Sequence, residues 1–240
     1  ASGHAVAAGR LATVIDLPFD MLVEATGHPE AAAIHALMAI DTRRHVLLVT
    51  KETDSVAGPL LARLAKAQGV GVTPVDGDQP SLLIDLITWA ETLGFDLLAG
   101  GKSSEYDFVV DPVTGHVASN GQTAHLPQLR NLWTPRPHTL RDVVEARAQV
   151  LGTAFPLRAV PDLCELTLVA NATGFGPDTP ALHAPVARVP EAADLFTDAV
   201  AGGLLAGTRR LDVFHNLRAP DEASFAGGVF VTLRCQDRKS

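Results

Sequence analysis

The feature that most constrains the fold is a regular alternation of short apolar runs and amphipathic segments between residues 20 and 100. Four runs are apolar on both faces, as in strands buried inside a parallel sheet. Three intervening segments carry apolar residues at the i, i+3, i+4 spacing of a helix that buries one face. The predicted strands are residues 19–26, 45–50, 70–74 and 95–99, and the predicted helices are residues 28–40, 54–68 and 81–93. This alternation predicts an α/β fold with a doubly wound parallel sheet of the Rossmann type.

The pattern changes after residue 102, which predicts a second domain of the α+β class. Residues 107–138 are rich in Pro, Gly, His and Asn, and we expect a long irregular excursion there. Three helical segments and a final strand follow. The helices are predicted at residues 139–150 (capped by Thr139), 162–173 and 190–206, and the strand at 227–234. We therefore divide the chain into residues 1–101, a nucleotide-binding domain, and residues 102–240, a substrate-binding and dimerisation domain.

The two ends of the sequence suggest a piece of a longer polypeptide. The chain starts Ala-Ser-Gly without an initiator Met and leads directly into a segment that ends in a strand. We expect the amino-terminal part of the Rossmann domain, with its pyrophosphate loop, to precede it. The part present would then be the carboxyl-side, nicotinamide half.

Composition excludes several classes of function. The net charge of −8 argues against a nucleic-acid-binding protein, and we interpret the basic pair Arg238-Lys239 as a solvated end. No apolar run has the roughly 18 residues that a membrane span needs. The two cysteines, Cys164 and Cys235, are far apart in an acidic chain, and we interpret them as buried thiols. A cytoplasmic protein without membrane or nucleic-acid partners is predicted.

Ligands of parallel sheets bind at the carboxyl ends of the strands, where this sequence has small and polar residues. The candidate cofactor-binding residues there are Ala25, Thr26, Gly27, Thr50, Lys51 and Glu52. Residues 25–27 would let the backbone lie against a ribose or nicotinamide, although a plain turn is an equal alternative. Lys51 would donate to a substrate oxygen or cofactor phosphate, or would be solvated beside Glu52. Asp78 would cap the next helix or position a substrate hydroxyl.

The most suggestive stretch is Gly100-Gly-Lys-Ser-Ser-Glu-Tyr106. Two glycines allow close backbone approach, and the hydroxyls can bind a phosphate or a carbonyl oxygen. A lysine that is partly desolvated in a cleft can have a lowered pKa and act as a proton donor in carbonyl reduction, or stabilise the developing alkoxide. The upstream Gly of a Walker loop is missing, and a solvated turn is the alternative. The catalytic candidates are Lys102, Asp78 and Glu105.

No metal-ligand spacing occurs among the nine histidines. Asp78, Glu105 and Asp107 have the right chemistry for a divalent ion, but no spacing supports it. We therefore predict no metal ligands and leave a metal requirement open. Catalysis by a Ser-His-Asp triad is not supported, because no Gly-x-Ser-x-Gly elbow is present.

Several stretches together resemble the homoserine dehydrogenase-like proteins. More narrowly, they resemble the branch whose members often carry a carboxyl-terminal SAF domain. That branch includes the reductoisomerase-like enzymes that convert 1-deoxy-D-xylulose 5-phosphate into methylerythritol phosphate with NADPH. The similar stretches are residues 23–29 (VEATGHP), 44–46 (RHV), 58–62 (GPLLA), 77–80 (GDQP), 100–102 (GGK), 169–174 (VANATG) and 224–231 (SFAGGVFV).

The resemblance implies that residues 25–27 and 50–52 flank the nicotinamide and that Lys102 polarises the substrate oxygen. Ser103 and Glu105 stand where the reductoisomerase-like branch has a further Gly and Lys, and the like charge of Glu105 would oppose a phosphorylated substrate. We predict an NADP- or NAD-dependent oxidoreductase of a small hydroxy or carbonyl compound, acting as a homodimer or higher homo-oligomer in isoprenoid precursor synthesis. The alternatives are a non-catalytic nucleotide- or metabolite-binding regulatory protein and a structural fragment with an incomplete site.

Overall fold

A computed structural model describes residues 7–135, 140–157 and 160–234, except for the side chains of residues 160–162. Thr139, Cys235 and the Arg238-Lys239 pair lie outside the described residues. The chain forms two compact units, Ala1–Asp78 and Gln79–Ser240, and each is described by itself. No helix in the described parts of the chain is long and apolar enough to cross a membrane.

The first unit is a small parallel α/β layer whose five main elements were predicted from the sequence. They are β1 (Met21–Glu24), α1 (Pro29–Asp41), β2 (His45–Leu48), α2 (Lys51–Gln68) and β3 (Val72–Pro74). The sheet order is β1-β2-β3, with Met21 opposite His45 and Val46 opposite Val72. Right-handed crossovers between consecutive parallel neighbours place both helices on one face, where α1 and α2 contact each other. The parallel α/β prediction is confirmed, whereas these two helices cover one face and not two.

The helix ends of this unit follow the chemistry of their sequences. Pro29 is the first residue of α1, a position that needs no backbone donor. The left-handed backbone of Gly69 (φ 74°) ends α2. However, α2 begins at Lys51, three residues before its predicted start at residue 54. Glu52 and Asp54 lie in its first turn, where negative charge complements the helix dipole.

The second unit contains the remaining elements and one mixed sheet. Its helices are α3 (Gln79–Thr92), α4 (Leu140–Gly152), α5 (Val160–Thr173) and α6 (Ala192–Leu195). Its strands are β4 (Asp96–Ser103), β5 (Phe108–Val110), β6 (His116–Ser119), β7 (Gln122–His125), β8 (Gly176–Pro177), β9 (Val186–Ala187), β10 (Arg210–Arg218) and β11 (Val229–Arg234). The sheet order is β11-β4-β10-β5-β6-β7, and β8 and β9 also pair with β10. Strand β4 runs parallel to β10 and antiparallel to β11.

Strand β4 differs from its prediction in length and in partners. It was predicted to end at Gly100-Gly101 and to join the sheet of the first unit. Instead it continues through both glycines to Ser103 and lies between β10 and β11. The glycines are needed for close packing rather than for a turn. A Cβ on Gly100 would lie 2.9 Å from Ile87 Cδ1, and one on Gly101 would lie 2.3 Å from the Asp212 carbonyl oxygen.

Two further predictions for the second unit are wrong. Residues 107–138 do not form one irregular excursion, because β5, β6 and β7 make an antiparallel meander there. Asn120 and Gly121 both have positive φ angles, as the tight turn between two hairpin strands requires. Residues 190–206 are not mostly helical either. The four-residue α6 is followed by a single 3₁₀ turn at Ala199–Ala201, which ends at the left-handed Gly202.

The sheet of the second unit is covered on both faces. Helices α3 and α5 pack on one side around Leu83, Ile87, Leu166 and Val213. On the other side, α4 and α6 pack around a cluster that includes Phe214. Strand β10 therefore lies in the interior with a strand on each edge and a helical layer on each face. Every polar side chain on it needs a partner inside the protein.

Candidate functional site

The carboxyl ends of β1 and β2 bring three of the predicted residues and one unpredicted carboxylate into contact. Thr50 Oγ1 donates a hydrogen bond to Glu24 Oε2 over 2.6 Å and accepts one from the Gly27 amide over 3.1 Å. The Thr26 amide donates to Glu24 Oε1 over 3.2 Å. Ala25, Thr26 and Gly27 are exposed, while Glu24 and Thr50 are buried. We call Glu24, Thr26, Gly27 and Thr50 the strand-end cluster.

Glu24 is the charged centre of the strand-end cluster. Burial raises the pKa of its carboxyl, but hydrogen bonds from Thr26 and Thr50 oppose this and leave the pKa below its usual value. His35 Nδ1 lies 3.5 Å from Glu24 Oε1. The carboxylate is thus ionised at neutral pH. A negative charge here suits ligand groups that donate hydrogen bonds, such as hydroxyls and amides, and disfavours phosphate.

The other predicted residues of the first unit lie at the start of α2 and at the end of the unit. Lys51 Nζ is 3.0 Å from Asp78 Oδ2, with 26% of the Lys51 side chain exposed. Asp78 therefore forms an ion pair with a second predicted residue. Glu52 is exposed in the first turn of α2. The structure brings these side chains to the strand-end region, and their roles toward a cofactor stay predictions.

Lys102 occupies the interior of the second unit. Its side chain is 3% exposed, and its ammonium donates to Gln79 Oε1 over 2.6 Å and to the Glu165 carboxylate at ion-pair distance. Glu165 comes from α5 and its side chain is 10% exposed. The solvated-turn interpretation of Lys102 is therefore wrong. We call Gln79, Lys102 and Glu165 the lysine cluster.

The backbone around the lysine cluster is held on both edges of β4. Lys102 lies opposite Val213 of β10 and opposite Val229 of β11. The Ser103 hydroxyl donates to the Phe225 carbonyl, and the Gly227 amide donates to the Ser104 carbonyl over 3.1 Å. These bonds place the segment before β11 against the end of β4.

Gly227 is the part of that segment closest to the lysine cluster. It has a positive φ of 68°, and a Cβ there would lie 2.5 Å from Gln79 Nε2. Only glycine allows this approach without moving the amide. The Gln79 amide lies with its oxygen toward Lys102 and its nitrogen toward residue 227.

Two predicted residues are not in the lysine cluster. Glu105 lies exposed in the bend after β4. Asp78 is the last residue of the first unit and forms an ion pair with Lys51. Ser103 and Ser104 are buried and bond to backbone carbonyls, so their hydroxyls are engaged within the protein.

A second buried carboxylate on β10 was also missed from the sequence. Asp212 is fully buried and accepts hydrogen bonds from the backbone amides of His183, Ala184 and Val213. His183 Nδ1 lies 2.6 Å from Asp212 Oδ2, and His183 Nε2 lies 3.6 Å from Asp178 Oδ2. The hydrogen bond with Asp212 raises the pKa of His183 against the opposing effect of burial.

The missed residues share one signal in the sequence. Glu165 interrupts the run Leu-Cys-Glu-Leu-Thr-Leu-Val of α5, and Asp212 interrupts Leu-Asp-Val-Phe in β10. A charged residue inside an apolar run points to a buried, paired group. The sequence gives no sign of which partner it has. Within the described residues, no three His, Cys, Asp or Glu side chains are grouped as a metal site.

Comparison with protein families gives a match over the carboxyl-terminal part of the chain. Residues 157–240 match the family model described as "Oxidoreductase DRL, catalytic domain". No curated protein matches the chain. The matched segment contains Glu165, Asp212 and β11, while Lys102 and Gln79 precede it. The carboxyl-terminal part of the chain is thus similar to an oxidoreductase catalytic domain, which supports an oxidoreductase function in general terms.

Proposed function

We propose that the protein is an NAD(P)-dependent oxidoreductase that acts on a small hydroxy or carbonyl compound. The observation that carries the proposal is the lysine cluster. A buried ammonium is held by Glu165, which lies within the segment that matches an oxidoreductase catalytic domain. A fixed positive donor shielded from water is the group that stabilises a developing alkoxide most effectively.

The strand-end cluster is the proposed contact for the nicotinamide half of the cofactor. A Cβ on Gly27 would meet nothing within 4 Å, so its left-handed backbone faces open space that a planar group can fill. The exposed Thr26 hydroxyl suits the hydroxyls and carboxamide of a nicotinamide nucleoside, and the buried Glu24 and Thr50 would hold the Thr26 and Gly27 backbone in place for that contact. When bound, the cofactor would supply or accept the hydride. Ala25, Lys51 and Glu52 complete the predicted set.

In the proposed mechanism the lysine cluster handles the substrate oxygen. Lys102 would donate a hydrogen bond to that oxygen and transfer its proton to it as the hydride arrives, so that the product is an uncharged hydroxyl and no full negative charge remains beside Glu165. Glu165 and Gln79 would hold the ammonium in one orientation, so little reorganisation is needed as the charge develops. Asp78 and Glu105, the other catalytic candidates, stay predictions.

The resemblance offers a finer form of this proposal, a reductoisomerase-like reaction on 1-deoxy-D-xylulose 5-phosphate in isoprenoid precursor synthesis. Such a substrate would place its ketone or hydroxyl at Lys102. Its phosphate would be held by other groups, because the hydroxyls of Ser103 and Ser104 already bond to backbone carbonyls. Cytoplasmic location and a homo-oligomeric state stay predictions.

The cofactor proposal is tested by thermal unfolding of the full chain with NADPH, with NADH and without nucleotide. A ligand at about 100 times its Kd stabilises the folded protein by about 2.7 kcal/mol, which a melting curve resolves. We expect stabilisation by at least one nucleotide, reduced in Thr50→Val because this variant loses both hydrogen bonds of the cluster hydroxyl. No shift with either nucleotide would overturn the proposal.

The role of Lys102 is tested by Lys102→Met, with Lys66→Met as the control because Lys66 is an exposed lysine of α2. Turnover is followed by nicotinamide absorbance over a panel of small hydroxy and carbonyl compounds. We expect Lys102→Met to keep nucleotide binding and lose about 10²-fold or more in kcat, the usual cost of removing one oxyanion donor. Nucleotide binding without turnover in any wild-type reaction would favour a regulatory binding protein instead.

A further inference from the structure

The lysine cluster carries no net charge, which limits what it can bind. Lys102 and Glu165 form an ion pair with side chains 3% and 10% exposed. The third member, Gln79, presents its amide oxygen to the ammonium over 2.6 Å. Both described partners of the ammonium are therefore hydrogen-bond acceptors, one of them negatively charged.

Several arginines of the second unit show the same pairing with carboxylates. Six of them form ion pairs in the described structure: Arg147 with Glu191, Arg188 with Glu222, Arg209 with Glu91, Arg210 with Asp178, Arg218 with Asp107, and Arg234 with Asp96 and Asp198. An anionic ligand at any of them has to compete with a resident carboxylate. The positive charge of these six arginines is thus compensated within the unit.

We propose that Glu165 is a specificity-determining residue that makes the lysine cluster accept uncharged hydroxyl or carbonyl groups and reject phosphate and carboxylate. The inference rests on the proposed function, since it takes the cluster to contact the substrate. An anion beside Lys102 would either lie close to the Glu165 carboxylate or displace it. The first arrangement brings like charges together, and the second leaves a buried carboxylate without its partner.

An uncharged hydroxyl meets neither difficulty. Its oxygen can accept from Lys102 while its proton is donated to Glu165 or Gln79, so the ion pair stays intact. A carbonyl oxygen can accept from Lys102 in the same way. The Glu165 carboxylate thus excludes anionic ligands by repulsion, which gives specificity for uncharged ones.

The test is anion binding by the cofactor-free full chain, with inorganic phosphate as the probe and sodium chloride at matched ionic strength as the reference. Titration calorimetry would compare wild type with Glu165→Gln, with Glu165→Gln/Lys102→Met, and with Glu91→Gln. The last is a matched control, because it removes the carboxylate of an exposed ion pair with Arg209. We expect Glu165→Gln to bind phosphate at least about ten-fold tighter than wild type, a difference of about 1.4 kcal/mol. The gain should vanish in the double variant and be absent from Glu91→Gln.

A folded Glu165→Gln protein that gains no phosphate affinity would overturn the proposal. If Glu165→Gln does not fold, wild type and Lys102→Met decide the matter. Equal phosphate affinity supports the proposal, and a loss in Lys102→Met refutes it because Lys102 would then already serve as an anion site. The experiment uses no nucleotide, so its result is independent of the nucleotide test. A chain that binds no nucleotide but shows the Glu165 effect would contradict the proposed function alone.

Discussion

At the scale of single residues, His183 combines a raised pKa with an unusual backbone. Its neighbours Leu182 and Ala184 both have positive φ angles, 60° and 44°, which cost free energy in non-glycine residues. The backbone amides of His183 and Ala184 donate to the Asp212 carboxylate, and the His183 ring forms a further hydrogen bond with the same carboxylate. Bonds to a buried carboxylate therefore hold this segment in a strained conformation.

Protonation of His183 should make the protein more stable on the acid side of neutrality. The groups facing the ring are Asp212, Asp178 and, at longer range, Arg141, and the net effect raises the pKa of His183 above its usual 6.5. The folded state thus binds the proton more tightly than the unfolded state. The stabilisation is fully present below pH 6.5 and is lost as pH rises through the folded pKa.

We expect His183→Gln to lower the free energy of unfolding by about 1.5–3 kcal/mol below the unfolded pKa, the usual contribution of a charge-assisted hydrogen bond. Urea denaturation at several pH values measures it, with the exposed His28→Gln as the control. The difference from wild type should shrink as pH rises. A difference that is constant from pH 5.5 to 8.5, or one that grows, would contradict the role of the charged ring.

At the scale of elements, the two glycines of β4 are predicted to differ in their tolerance of a methyl group. A Cβ at Gly101 would contact the Asp212 backbone and the Phe230 ring at 2.3 and 2.7 Å, and these groups cannot move independently. At Gly100 the nearest atom, 2.9 Å away, is the flexible end of Ile87. Gly101→Ala should therefore cost about 1–3 kcal/mol or more in unfolding free energy, and Gly100→Ala less.

The matched control for this pair is Gly176→Ala, because a Cβ there would meet nothing within 4 Å and its φ is not positive. Denaturant unfolding of the three variants gives the order. Equal destabilisation by Gly100→Ala and Gly101→Ala would show that β4 can shift as a whole. In that case the close approach of β10 and β11 would not explain why position 101 is a glycine.

The elements of the first unit could be predicted because each is signalled locally, by an apolar run, a Pro at a helix start or a Gly at a helix end. Strand β10 could not be predicted, because Asp212, His215 and Asn216 interrupt its apolar pattern. Those residues are tolerated by distant contacts, such as the bond from Asn216 Nδ2 to Asp107. The turn of the β6–β7 hairpin is signalled in the sequence by Asn120-Gly121. The signal was missed because the residues around it are polar and show no strand-like alternation.

The residues of the candidate site also divide into those that the local sequence predicts and those that depend on distant contacts. Lys102 was identified because it is a positive donor between two glycines and two hydroxyl residues, although its setting inside a strand with a neighbour on each edge was not expected. Glu165 lies 63 positions away, and its pairing with Lys102 depends on how α5 packs. Residues 25–27 and 50–52 follow adjacent parallel strands, so their proximity follows from the sheet and could be predicted.

At the scale of the whole molecule, stability should be unevenly distributed around β10. This strand pairs with β4, β5, β8 and β9 and is buried from Leu211 to Leu217. Strand β7 lies at the end of the same sheet and is mostly exposed. Amides that exchange only on global opening belong to such central strands.

We expect the amides of β10 to exchange with deuterium at least about 10²-fold more slowly than those of β7, which corresponds to about 2.7 kcal/mol of extra opening free energy. Hydrogen exchange followed by mass spectrometry gives the two rates in one experiment. Comparable rates in β7 and β10 would mean that the sheet opens as a single unit.

The neutral pairing of Lys102 with Glu165 also bears on how a ligand arrives. Opposite charges in contact produce a field that falls off quickly, so they give no long-range attraction to a diffusing molecule. The net charge of −8 on the chain offers no attraction to anions either. The encounter rate of an uncharged ligand with this cluster should therefore depend on diffusion and access, and should change little between low and high ionic strength.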